Sequence, residues 1–114
     1  MNHKNMDVWK LSMNLVIKIY RITGNFPSEE KFGLSQQMRR AAVSIPSNIA
    51  EGASRKSSNE FVQFLHISLG SLAELETQMI ISQRLGFATD NLEEFNICER
   101  IRQMLLGLIR YKQS

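Results

Sequence analysis

QMRRAAVSIPSNIAEG, residues 37–52, is the stretch that decides how this chain folds. Its apolar side chains recur every three or four residues, the spacing that places them on one face of an α-helix. Counted from Leu34, that face consists of Leu34, Met38, Ala42, Ile45 and Ile49. A polar stripe runs beside it and consists of Gln37, Ser44, Asn48 and Glu51. The stretch therefore predicts an amphipathic helix over about residues 34–53, with polar groups along the flank of its buried face.

Pro46 lies inside this predicted helix. Proline lacks the backbone N–H group and its ring crowds the carbonyl four residues back, so a helix bends or breaks there. The apolar face stays in phase on both sides of Pro46, and the small Ala42 leaves room for a bend. We therefore predict one kinked helix, with two helices that meet at Ile45 as the alternative.

Three further helical patterns surround this segment. Apolar spacing predicts helices over about residues 7–23, 58–85 and 91–111, separated by glycine-, proline- and serine-containing breaks. Asp7 is the expected N-cap residue of the helix over residues 7–23. Ser57 or Ser58 is expected to cap the helix over residues 58–85, and Ser57 with Glu60 fits a capping box. Short turns favour antiparallel neighbours, so the chain is predicted to be all-α, a single domain over residues 1–114. The predicted architecture is an antiparallel up-down-up-down four-helix bundle.

Composition places the chain among folded proteins without a membrane span. It is 43% hydrophobic and 22% charged, and its apolar runs are far too short to cross a bilayer. No signal-peptide pattern opens the sequence and the lone Cys98 has no disulfide partner, so a cytoplasmic location is predicted. The net charge of +3 is mildly basic and favours a nucleic-acid partner only slightly.

No residue pattern indicates catalysis or a cofactor. A di-iron bundle requires Glu-x-x-His pairs on two helices, and no glutamate here has a histidine three residues later. His66 is expected to be partly buried, and Cys98 to be a small buried hydrophobe on the fourth helix. The sequence therefore predicts a protein that is not an enzyme and holds no metal or cofactor.

Two polar features lie close to the predicted core. The polar stripe is expected to form a structural hydrogen-bond network between helices, with a ligand groove or the lumen of a ring as the alternative. Glu76 falls inside the apolar arc of the third helix, and a buried carboxylate needs a cationic or donor partner. We predict that its partner is Arg102 on the fourth helix, with Gln37 or Tyr20 as alternatives.

The third helix carries more apolar surface than two neighbours in one bundle require. Its predicted apolar arc consists of Phe61, Val62, Phe64, Leu65, Leu69, Leu72, Ala73, Leu75, Met79 and Ile80. Gly70 and Ser71 lower the stability of the helix, so a close approach of another helix is the expected reason for them. The surplus of apolar surface predicts contacts between copies of the chain.

Two strings carry a resemblance to a known family: Arg39–Arg55, RRAAVSIPSNIAEGASR, and Phe61–Met79, FVQFLHISLGSLAELETQM. They resemble the bacterial four helix bundle protein family, whose members include proteins encoded inside intervening sequences of 23S ribosomal RNA genes. The likeness implies a four-helix protomer that assembles as a homopentameric ring. The chain is also similar to the accessory protein of diversity-generating retroelements, which works with a reverse transcriptase and contacts nucleic acid.

Four basic residues are the strongest candidates for nucleic-acid contact: Arg39, Arg40, Arg55 and Lys56. They do not form one patch on a single chain, but a ring would repeat each pair around its axis. With the resemblance, this predicts weak, non-specific binding of RNA or DNA by a non-enzymatic oligomer, although no aromatic–basic interleaving along the sequence supports it. The alternatives are salt bridges of these side chains to Glu51 and Glu60, and an oligomeric scaffold that binds only protein.

Overall fold

The structure of the chain, a computed structural model, describes residues 2–114 and is all-helical over that range. Its four α-helices are α1 (Asp7–Thr23), α2 (Leu34–Ala53), α3 (Ser58–Arg84) and α4 (Leu92–Gln113), with short 3-10 turns at His3–Asn5 and Ser28–Glu30. The predicted class, an all-α four-helix bundle, is confirmed. Met1, which the predicted single domain includes, lies outside the described residues.

Local chemistry explains some helix ends and not others. Ser57 is the N-cap of α3, and its hydroxyl accepts a hydrogen bond of 3.2 Å from the Glu60 N–H, as predicted. Gly86 follows α3 with a φ of 79°, the left-handed conformation that favours glycine. The prediction of Asp7 as an N-cap is wrong by one residue, because Met6 holds that position and Asp7 begins α1.

All four helices contribute to one core. α2 packs against α1 and α3, and α4 packs against the same two helices, which closes the bundle. The fully buried large side chains are Leu15, Ile19, Met38, Ile45, Ile49, Leu65, Leu72, Leu75, Met79, Cys98, Ile101 and Leu105. The predicted apolar face of α2 is buried except at Leu34, which is partly exposed. This cyclic order of contacts agrees with an up-down-up-down course, which stays a prediction from the short turns.

α2 passes Pro46 without a break and is one helix from Leu34 to Ala53. The alternative of two helices that meet at Ile45 is therefore wrong, while the kink stays a prediction. The Ile45 carbonyl, directly before the proline, accepts a hydrogen bond of 2.9 Å from the buried Ser68 hydroxyl of α3. A polar side chain of α3 thus supports the backbone of α2 beside the proline.

The close approach of α2 and α3 occurs at Gly52. A Cβ atom added to Gly52 would lie only 2.8 Å from both Phe61 Cδ1 and Phe64 Cβ. A Cβ atom added to Gly70 would meet nothing within 4 Å, so the expectation of a close approach at Gly70 is wrong within one chain. Ser71, its neighbour, does reach α2 through a side-chain hydrogen bond.

Several side chains assigned to buried positions are exposed. Ala73 and Ile80, from the predicted apolar arc of α3, face solvent, and His66 is exposed rather than partly buried. The physical reason is that the arc of α3 is wider than the surface that α2 and α4 cover. Other large apolar side chains of α1 and α3 are exposed as well: Met13, Ile17, Tyr20, Ile67 and Ile81.

Candidate nucleic-acid interface

Arg39 joins α2 to the end of α1. Its Nε donates to Thr23 Oγ1 at 2.8 Å, and a terminal N–H group donates to the Tyr20 carbonyl at 3.3 Å. The guanidinium carbon also lies 4.5 Å from the centroid of the Tyr20 ring, which is a cation–π arrangement. Arg39 therefore has a structural role, because it holds the Tyr20 ring in place at the surface between the two helices.

The Tyr20 ring forms part of a cleft of about 530 Å³ between α1, the turn before α2, and the exposed side of α2. Its charged and aromatic lining residues are Tyr20, Lys31, Phe32, Arg39 and Arg40, and the others are neutral. The lining thus contains three cations and no carboxylate. We refer to this cleft as the cationic cleft. An anionic ligand inside it would meet attractive charge without an opposing acidic side chain.

The aromatic rings of the cationic cleft are open to solvent. Phe32 is 81% exposed and Tyr20 is 44% exposed. The Lys31 ammonium lies 5.5 Å from the centroid of the Phe32 ring. Aromatic rings beside cations are the arrangement on which nucleic-acid bases stack while their phosphates are neutralised.

The structure does not bring the four predicted basic residues together. Arg39 and Arg40 line the cationic cleft, whereas Arg55 and Lys56 lie beyond the end of α2, about 20 Å along the helix by its rise per residue. Arg55 forms a salt bridge of 2.6 Å to Glu51, and its guanidinium carbon lies 4.9 Å from the centroid of the Phe64 ring. Arg40 and Lys56 are exposed, and neither has an ion-pair or hydrogen-bond partner within residues 2–114.

Two other clefts lack this combination of features. A larger one, of about 930 Å³ between α1 and α4, carries three cations but also three carboxylates, and Lys18 is already paired with Glu93 at 2.8 Å. A smaller one, of about 340 Å³, is lined mainly by Trp9, Met13, Val16, Val43, Pro46 and Ala50. We refer to it as the apolar groove. Val43 lines both the apolar groove and the cationic cleft.

The polar stripe of α2 separates into parts. The Ser44 hydroxyl lies 2.8 Å from the Ser71 hydroxyl of α3, and Asn48 donates to Ser44 Oγ at 2.9 Å and to the Ser44 carbonyl at 2.8 Å. These bonds link α2 to α3, in line with a structural role. Gln37 and Glu51, by contrast, are exposed. The stripe supplies one contact between helices rather than a network along the whole of α2.

The predicted contact between Glu76 and Arg102 is present. Arg102 on α4 donates to the Glu76 carboxylate of α3 and also to Glu99. The side chains of Glu76 and Arg102 are 20% and 28% exposed, so the pair lies at the edge of the core. It joins α3 to α4, and none of its residues lines the cationic cleft.

Cys98 is not placed to act as a nucleophile. Cys98 is fully buried, and burial, followed by the charge of Glu94, raises the pKa of its thiol to about 12. The thiol therefore stays protonated at neutral pH and is a poor nucleophile.

Within residues 2–114, no three histidine, cysteine, aspartate or glutamate side chains are grouped so that they would hold a metal ion. No helix in that range has the length and hydropathy needed to span a membrane.

Sequence reasoning missed the cationic cleft. Tyr20 lies on α1, Lys31 and Phe32 lie in the turn that follows, and Arg39 and Arg40 lie on α2, so no linear motif joins them. Lys31 and Phe32 are adjacent in the sequence, and the fold places Tyr20, Arg39 and Arg40 beside them. The usable signals are this basic–aromatic pair and the position of Arg39 on the flank of α2.

Comparison with known proteins gives the same architecture. The structure is similar to the crystal structure of a protein of unknown function from the S23 ribosomal protein family of Bacteroides thetaiotaomicron, with a TM-score of 0.76. The two sequences are 26% identical, and the match covers 90% of this chain and 97% of the other. No match was found among curated proteins. The family model described as 23S rRNA-intervening sequence protein matches residues 4–107, and this chain therefore belongs to that family.

Proposed function

We propose that this chain is a non-enzymatic accessory protein that binds RNA or DNA weakly and without sequence preference, through the cationic cleft. Lys31 and Arg40 are the proposed phosphate-binding side chains. Arg39 adds positive potential and positions the Tyr20 ring. The description of the family, which refers to intervening sequences of 23S rRNA, supports nucleic acid as the class of partner to test.

The charge of the cationic cleft is the observation that carries this proposal. The whole chain has an excess of only three positive charges, from 14 basic against 11 acidic side chains. The lining of the cationic cleft holds the same excess in a small part of the surface. A concave surface of one sign concentrates field and attracts anions more strongly than the rest of the molecule does.

The small number of cations in the cationic cleft limits the affinity. Each phosphate contact with a single strand contributes about −0.7 to the slope of log K against log salt concentration. Two or three contacts therefore give a slope of roughly −1.4 to −2.1 for each chain. Contacts to phosphates position a nucleic acid without reading its sequence, which is why we propose non-specific binding.

A titration of a labelled oligonucleotide at several salt concentrations tests the proposal. Arg40→Glu is expected to lower the affinity by about tenfold or more at low salt, because it removes one charge-assisted contact and adds repulsion. It is also expected to flatten the salt slope by about 0.7 to 1. Affinity that does not respond to salt, or no binding at low salt, would overturn the nucleic-acid proposal.

Lys56→Glu is the matched control. It reverses the same charge on another exposed side chain that has no partner within residues 2–114, but it lies outside the cationic cleft. We expect it to weaken binding less than Arg40→Glu does. If the two variants weaken binding equally, the cationic cleft is not the site and general charge is responsible.

A second candidate function is a homo-oligomeric scaffold that binds only protein. The observation in its favour is the apolar groove, where Met13 and Val43 are exposed beside Trp9 and Pro46. Apolar surface of this kind favours contact with another protein surface, and a second copy of the chain would cover it. The resemblance to the four helix bundle protein family implies a homopentamer, so self-association is the form of scaffold that we propose to test.

A further inference from the structure

We infer that the cationic cleft takes single-stranded rather than duplex nucleic acid, with a base stacked on the Phe32 ring and its phosphate bound by Lys31 and Arg40. This inference rests on the proposed function and specifies its ligand. It depends on the aromatic rings of the cleft, whereas the proposed function depends on its charge.

Packing of the core does not explain the position of the Phe32 ring. The same connection between α1 and α2 is already anchored by Phe26, which is 8% exposed and packs against Phe87 with ring centroids 5.6 Å apart. Phe32 is 81% exposed and contributes no such contact to the core. Its ring is therefore available to a ligand.

One cation lies directly against this ring: the Lys31 ammonium lies over one face of Phe32, 5.5 Å from the ring centroid. In the proposed complex the base stacks on the opposite face, and the flexible lysine side chain reaches its phosphate. Arg40 has no partner within the described residues, so all five of its N–H donors remain free for a phosphate. Arg39 is already bonded to Thr23 and Tyr20 and presents the Tyr20 ring as a second aromatic surface.

A duplex cannot use these rings. Its bases are paired and stacked on one another, so their faces are covered and the cationic cleft meets only phosphates and the edges of bases in the grooves. An unpaired base offers a free π-face as well, and stacking on an aromatic side chain is tolerant of base identity. The volume of about 530 Å³ lies within the range of sites that hold small ligands, which suits one or two nucleotides rather than the side of a double helix.

The experiment compares three probes on the full chain: a single-stranded oligonucleotide, a duplex of that strand with its complement, and an abasic strand that keeps the phosphates. Phe32→Ala is expected to weaken binding of the single strand by roughly 5- to 150-fold, the range of one lost stacking contact. Binding of the duplex and the abasic strand is expected to stay unchanged. Phe32→Trp is expected to restore the affinity and Phe32→Leu is not, since only the former keeps an aromatic face.

Tyr111→Ala is the matched control for loss of an exposed aromatic ring. Tyr111 is 71% exposed and has the Lys112 ammonium 5.7 Å from its ring centroid, but it does not line the cationic cleft. We expect its loss to leave binding of all three probes unchanged. Circular dichroism of each variant checks that the fold is kept, as the exposure of both rings leads us to expect.

The outcomes separate this inference from the proposed function. If Phe32→Ala affects single strand and duplex equally, or neither, while Arg40→Glu still weakens both, stacking is overturned and the proposed function stands. If none of the three probes binds, both are overturned. If a poly-glutamate peptide competes as well as the single strand and both depend on Arg40, the ligand is an acidic protein segment and the inference is overturned.

Discussion

At the scale of single residues, a change from glycine to alanine is expected to have opposite effects at Gly52, which is crowded, and at Gly70, which is open. Gly52→Ala would bring its new Cβ atom to 2.8 Å from two phenylalanine side chains, and overpacking of this kind costs about 1 to 3 kcal/mol. Gly70→Ala meets nothing within 4 Å and should stabilise α3 by about 1 kcal/mol through helix propensity. Urea unfolding of both variants measures the difference. Equal shifts of the midpoint would contradict the close approach at Gly52.

At the scale of helices, the pair of Glu76 and Arg102 fastens α3 to α4. Glu76→Gln is expected to lower the free energy of unfolding by about 1.5 to 3 kcal/mol, the range for hydrogen bonds to charged groups. We expect less than the roughly 3 to 5 kcal/mol of a fully buried pair, because both side chains are partly exposed. Thermal or urea unfolding measures the change.

Glu99→Gln is the control for this prediction. Glu99 pairs with the same arginine, but its side chain is 56% exposed, so water screens the interaction and its loss should be small. If Glu76→Gln unfolds like the wild type, the pair does not stabilise the bundle. If both variants lose the same stability, the position of Glu76 at the edge of the core is not what matters.

The helices could be predicted from the sequence because periodicity fixes the phase of each helix. The face of α2 through Met38, Ala42, Ile45 and Ile49 is buried for this reason. Periodicity carries no information about the distance between helices or the width that a neighbour covers. The expectation of a close approach at Gly70 is wrong within one chain because it concerns the distance between helices. The expected burial of Ile80 is wrong because it concerns the width that the neighbouring helices cover.

The cationic cleft could not be predicted in the same way. Its residues come from two helices and a turn, and their proximity is a property of the packed bundle. Arg39 shows the difference most clearly. Its sequence position identifies a basic residue on the flank of α2, but only the structure shows that Thr23 and Tyr20 bind it. Arg40, whose side chain has no hydrogen-bond or ion-pair partner within residues 2–114, becomes the better test of nucleic-acid binding.

At the scale of the whole molecule, light scattering at micromolar concentration is expected to return a multiple of the 13.1 kDa chain mass, with five copies predicted from the resemblance. Val43→Asp should lower that mass, because a charge in the apolar groove opposes its burial. Ile81→Asp tests the other predicted interface, the surplus apolar surface of α3, since Ile81 is exposed to a similar extent. A mass of one chain for the wild type would contradict self-association, and dissociation by Ile81→Asp alone would place the interface on α3.

Val43 lines both the apolar groove and the cationic cleft, so an occupant of either one contacts the same side chain. Two binding events that share a contact are coupled, and thermodynamic linkage makes that coupling reciprocal. The factor by which nucleic acid changes the affinity between copies of the chain equals the factor by which assembly changes the affinity for nucleic acid. If the chain both assembles and binds nucleic acid as proposed, the degree of assembly varies with the concentration of nucleic acid, and a mass measured without nucleic acid describes only one end of that equilibrium.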